Sequence, residues 1–142
     1  EVNPRICGQF ADLYEKVDGR STYEIALDLV TGRSPELPRR QGRFACAASV
    51  PLRTYEPVHV AHAPGPEEMA AVEAAHPGLL VWLECETGQE LSDFERIEDG
   101  RSYRYAVFNL GARGEEDLRQ RVREVESDLA IDLQPLPTPP TT

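Results

Sequence analysis

Glu1, Asn3 and Arg5 alternate at the start of EVNPRICGQF, so in an extended segment a carboxylate, an amide and a guanidinium share one face. Those residue types suit phosphoryl chemistry. A charged and a neutral oxygen two residues apart can hold Mg2+, which takes few protein ligands and fills its other positions with water and substrate phosphates. Arg5 can stabilise negative charge that moves during transfer, where positioning and electrostatics carry most of the catalysis. Pro4 and Gly8 then break the extended run. Taken alone, the same five residues also suit a solvated turn. No Met and no cationic, apolar leader stand before this pattern, so the expectation is a portion of a longer protein.

The elements that follow must position these groups. Residues 9–17 (QFADLYEKV) predict a short helix closed at Asp18-Gly19. Ser21 and Glu24 form a Ser-x-x-Glu capping box. The helix it starts, YEIALDLV, ends at Gly32 and would turn Ile25 and Leu29 to the core. SPELPRRQG reads as a loop, RFACAASVPLR as a strand and PVHVAHA as a second strand. Pro64-Gly65-Pro66 leads into a helix over 67–75 that Pro77-Gly78 terminates. LLVWLECE is a mostly apolar strand. Glu98-Asp99-Gly100 makes a turn before the strand SYRYAVFNLGA. Leu118, Val122, Val125 and Leu129 then recur at helical spacing in the last helix. The tail PLPTPPTT is proline-rich and expected to be mobile.

EVNPR, a Gly soon after it, an acidic helix, the capped helix STYEIALDLVTGR, an arginine-rich loop and RFACAASVPLR together resemble the C-terminal part of ATP-grasp carboxylate–amine ligases over residues 1–53. SYRYAVFNLGARGEEDLRQRV resembles the closing strand and helix of amino-acid ligase-like members. The resemblance implies an α+β fold. The end of an ATP-grasp domain would occupy 1–53, a small C-terminal α+β lobe with an antiparallel sheet 54–134, and the proline-rich tail 135–142. It implies ATP and Mg2+, with Mn2+ as a substitute, the metal held by Glu1 and Asn3 against the nucleotide phosphates. Arg5 would be the catalytic group, contacting phosphate and the acyl intermediate, and Gly8 would keep backbone close to substrate. Many relatives carry a second Gly where this chain has Gln9, a departure at the substrate end of the pocket.

The reaction implied is attack of a carboxylate on the ATP γ-phosphate, giving an acyl phosphate that an amine captures with loss of phosphate. The substrates implied are a small-molecule carboxylate and an amine, amino acids in kind. In the family the adenine pocket, the phosphate-binding lysines and a Gly-rich loop all precede this segment. The implied partner is therefore the upstream remainder of the ATP-grasp chain, and the segment alone is expected to be inactive. A homodimer is compatible with the resemblance.

Composition excludes other classes. With 40% hydrophobic and 28% charged residues the 142-residue chain can build a core. A formal charge of −10 argues against nucleic acid, which needs clustered basic residues. No stretch approaches the length of a membrane span. Cys7, Cys46 and Cys85 are odd in number and far apart, which suits reduced thiols in the cytoplasm. His59 and His62, three apart on a strand, would face opposite ways and share no metal. His76 reads as a helix-end residue, and Cys7 as a small buried one. Trp82, Tyr103 and Tyr105 read as sheet aromatics. Glu67-Glu68, Glu84 with Glu86, and Glu115-Glu116-Asp117 read as solvated faces or helix starts, the last two away from basic runs. The competing class is a non-catalytic α+β interaction or dimerisation module using the last helix and a sheet edge.

Overall fold

The computed structural model describes residues 5–92 and 102–136. Pro4, Glu98-Asp99-Gly100 and most of the proline-rich tail lie outside them. Among these residues the fold is α+β, with two small antiparallel sheets and four helices. A 3-10 turn at Gly8–Phe10 leads into α1 (Ala11–Asp18) and α2 (Thr22–Val30), followed by β1 (Cys46–Thr54), β2 (Val58–His62) and α3 (Pro66–Ala75). Then come β3 (Leu80–Leu83), β4 (Glu90–Leu91), β5 (Tyr103–Ala112), α4 (Glu115–Leu129) and β6 (Asp132–Pro135). The sheets run β1-β5-β3 and β4-β2-β6.

The helix ends follow their sequence signals. Gly19 closes α1 in the left-handed conformation, its N–H donating to Glu15 O. Ser21 Oγ accepts from Glu24 N while Glu24 Oε2 accepts from Ser21 N at 2.8 Å, the reciprocal capping box. At the other end of α2, Gly32 N donates to Leu29 O and Arg33 N to Asp28 O. Because the Ser21 hydroxyl answers an otherwise orphan amide, Ser21→Ala is expected to cost about 1 kcal/mol. Thermal unfolding at neutral pH checks this, and an unchanged midpoint contradicts it.

The chain divides into two compact units, each drawn from several segments: 1–50, 78–80 and 109–124 form the first, and 51–77, 81–108 and 125–142 the second. In the first, the Phe44 ring lies against Gly78 and Gly111, where a Cβ would collide with it. The Arg43 and Arg121 guanidinium groups sit 5.4 and 5.7 Å from the ring centroid. Arg121 Nη1 also donates to Gly111 O. Residues 42–44 are fastened to the end of α1 by Gly42 N to Val17 O at 3.0 Å and Phe44 N to Lys16 O at 2.9 Å.

In the second unit Val58, Val60, Ala63, Cys85, Leu91 and Tyr103 form the core, with Leu83, Tyr105, Ile131 and Leu133 packed against it. His59 stands opposite Glu90 on one side of β2 and opposite Gln134 on the other. The register slips between Val60 and His62. Arg53 Nη1 donates to the buried Ser102 Oγ at 2.9 Å. His76, at the end of α3, is buried and meets Asp128 Oδ2 at 2.7 Å.

Several expectations need correction. Leu29 does not reach a core: it is 61% exposed, Ile25 is half-buried, and α2 buries no residue. Cys7 is exposed rather than buried. Glu84 is no lone solvated carboxylate, since Arg104 donates to both its oxygens at 2.5 and 2.6 Å. Glu115 and Asp117 do stand in the first turn of α4 as expected, but each accepts a hydrogen bond from a basic partner, Arg119 and Arg113. These hydrogen bonds pull both carboxyls below their ordinary values. β4 and β6 were not expected as strands.

Candidate functional site

Glu1 and Asn3 lie outside the described residues, and the description begins at Arg5, an exposed residue in a bend. What the structure supplies is the anchoring of the segment just after them. Asn109, fully buried on β5, donates through Nδ2 to Gln9 O at 2.5 Å and to the Asp12 carboxylate. Gln9 Nε2 donates to Ser49 Oγ on β1 at 2.8 Å. Asp12 is also paired with Lys16 one helical turn on. Two strands thus hold the turn that follows Arg5, and Gln9 supplies one of the ties.

Gly8 sits over Tyr23: a Cβ there would come within 2.7 Å of the phenol oxygen. The close approach expected at Gly8 is therefore made, among the described residues, to the side chain of α2. Sequence reasoning missed Gln9, Ser49 and Asn109 as a positioning group because their contacts join residues 40 and 100 apart. The one available signal was the Asn within the apolar run of SYRYAVFNLGA, a polar type that a buried strand accepts only with partners. Asn109 Oδ1 is buried with no hydrogen-bond partner among the described residues.

The surface beside this segment is strongly apolar. Apart from Tyr55 and Leu80, the large hydrophobic side chains exposed among the described residues all fall between residues 6 and 37. They include Phe10 and Tyr14 near and on α1, Tyr23, Leu27 and Leu29 on α2, and Val30, which is 84% exposed. Phe10, Leu13, Tyr14, Val17 and Ala47, with Asp18, line a groove of about 410 Å3. α2 leaves Tyr23, Leu27, Leu29 and Val30 exposed and buries no residue, which is unusual for a surface helix, whose apolar stripe normally faces a core.

Among the described residues no three His, Cys, Asp or Glu side chains are grouped to hold a metal ion. His62 Nε2 meets Glu68 Oε1 at 3.5 Å as an isolated pair. No described helix is long and apolar enough to cross a membrane. Burial pushes the Cys85 thiol above its ordinary value, and burial together with the charges of Glu126 and Cys85 pushes the Tyr105 phenol up.

Above about pH 8.5, where an unfolded thiol ionises, the native state keeps the Cys85 proton that the unfolded state releases, so stability falls as pH rises. Below that pH the contribution is constant. Denaturant titrations from pH 7 to 10 should show the decline begin near the thiol value and shrink in Cys85→Ala; the same slope in both proteins contradicts the assignment. In the native state a small alkylating reagent should modify Cys7 within the time that leaves Cys85 untouched. Peptide mass mapping reads this directly.

Comparison with protein-family models, with curated proteins and with solved structures gave no match.

Proposed function

We propose that this chain is the C-terminal part of an ATP- and Mg2+-dependent carboxylate–amine ligase that forms an amide bond through an acyl phosphate. The observation that carries the reading is the E-x-N-P-R pattern followed by two short helices and a strand in the order the resemblance requires. The donor set fits the metal by its chemistry: a carboxylate and an amide oxygen are hard ligands, and two of them are enough where nucleotide phosphates complete the shell. Mg2+, once bound with ATP, supplies charge neutralisation at the transferring phosphoryl group.

Glu1 and Asn3 hold the ion in this reading, and Arg5 steadies the phosphate and the acyl intermediate. Asn109, Gln9 and Ser49 fix the backbone that carries Arg5 toward its turn. The uncovered apolar side chains of α1 and α2 support a partner that covers them, and the upstream remainder of the ligase is the partner proposed. A homodimer and a cytoplasmic setting belong to this proposal.

The test is phosphate release from ATP by the full-length parent with Mg2+ and pairs of amino acids. Release that requires both a carboxylate and an amine supports the reading. No release with any pair, in a folded parent that binds ATP, contradicts it. The same uncovered face favours a second reading, a non-catalytic interaction module. Its interface would lie on α1 and α2 rather than on the last helix.

A further inference from the structure

A cleft of about 330 Å3 opens beside α1, lined by Asp12, Glu15 and Lys16, by Arg43 and Phe44, and by Gly78–Leu80. The volume is at the small end for ligand pockets and suits a metabolite rather than a nucleotide. Its charges are sorted. Asp12 and Lys16 neutralise one another. Glu15 and Arg43 have no ion-pair partner among the described residues, and Arg43 instead stacks on Phe44 at 5.4 Å. The wall they share is fixed, because Phe44 N and Gly42 N are hydrogen-bonded to carbonyls of α1. One unpaired carboxylate, one unpaired guanidinium and an apolar surface from Phe44, Leu79 and Leu80 therefore meet in one concavity.

We propose that this cleft binds a free amino acid. The ligand's carboxylate takes Arg43, whose planar fork matches it. Its ammonium takes Glu15, and its side chain lies on Phe44 and the Leu79–Leu80 wall. With Asp12 and Lys16 neutralised by one another, an anion alone would leave Glu15 unmatched and a cation alone would leave Arg43 unmatched, whereas a zwitterion satisfies both sides. The site uses none of Glu1, Asn3 or Arg5. Binding needs neither ATP nor Mg2+, which separates its failure from that of the ligase reading.

The experiment is a chemical-shift titration of the chain with each proteinogenic amino acid singly at millimolar concentration, without nucleotide or metal. At least one is expected to shift the amides of residues 42–44 and 78–80 saturably. The matching deaminated acid and decarboxylated amine should bind about tenfold more weakly, the scale of one charge-assisted hydrogen bond. Glu15→Gln, an exposed change that leaves folding intact, should abolish the preference over the deaminated acid, while Arg43→Met should abolish that over the amine. No saturable shift with any amino acid overturns the proposal. So does a shift that Glu15→Gln and Arg43→Met both leave unchanged.

Discussion

Glu1→Ala in the full-length parent should lower ATP-dependent ligation by about 10^2- to 10^3-fold, the scale of losing one preorganised electrostatic group from a transition state. Glu1 is the only charged oxygen that the proposed metal strand supplies, since Asn3 is neutral and Arg5 carries the opposite charge. If Glu1 holds the metal of the proposed ligase, the loss should fall on kcat more than on the KM of the amine. Folding should be unaffected, as the turn after Arg5 is held by the Gln9–Ser49 and Asn109–Gln9 hydrogen bonds. Near-normal activity in a folded variant would remove the basis for reading E-x-N-P-R as a metal strand. Raising Mg2+ should restore part of the rate if affinity for the ion is what was lost.

Gly42→Ala should be the most damaging single-methyl addition for stability. A Cβ at this position would collide with the backbone of Lys16 and Val17, and backbone at a helix end cannot turn away as a side-chain tip can. The change also strains the hydrogen bonds that fasten residues 42–44 to α1. We expect a cost of about 3 kcal/mol, the upper end for forced overpacking, and a fall in Tm of roughly 10 °C. Gln41→Ala, at the exposed neighbouring position, should stay within about 0.5 kcal/mol of the parent sequence. Equal midpoints for Gly42→Ala and Gln41→Ala would mean that the α1 end and the loop are not packed as described. Because Phe44 N donates to Lys16 O, Gly42→Ala should also weaken amino-acid binding in the cleft beside it.

What sequence could reveal depended on the range of the interaction. The Ser21–Glu24 box, the Gly19 and Gly32 caps and the start of α3 at Pro66 were legible because each is settled within a few residues. α4 was legible because Val125 and Leu129 repeat at the helical period and are buried. β4 and β6 were not, since two residues carry no periodicity and DLQP ends in a proline that reads as a stop; both exist through pairing with β2. The error at Leu29 has the same root. Apolar spacing on a helix says which face seeks cover, but not whether the cover comes from the same compact unit.

The Glu84–Arg104 pair and the Asn109 anchor were hidden for a related reason. Their partners are 20 to 100 residues away in sequence and adjacent only once β3, β5 and the 3-10 turn are in place. Of the candidate site, the residue types that suggest chemistry were visible at once in EVNPR, while the scaffold behind them was not. Gln9 makes the point: nothing near it in sequence names Ser49, to which its amide ties the turn.

If Glu1, Asn3 and Arg5 belong to the metal strand of a larger ligase, the natural gene product from its source cells should have an intact mass several times 15.8 kDa, with lysine-bearing sequence ahead of EVNPR. A native product of 15.8 kDa would leave the strand without a nucleotide pocket, and would contradict that reading.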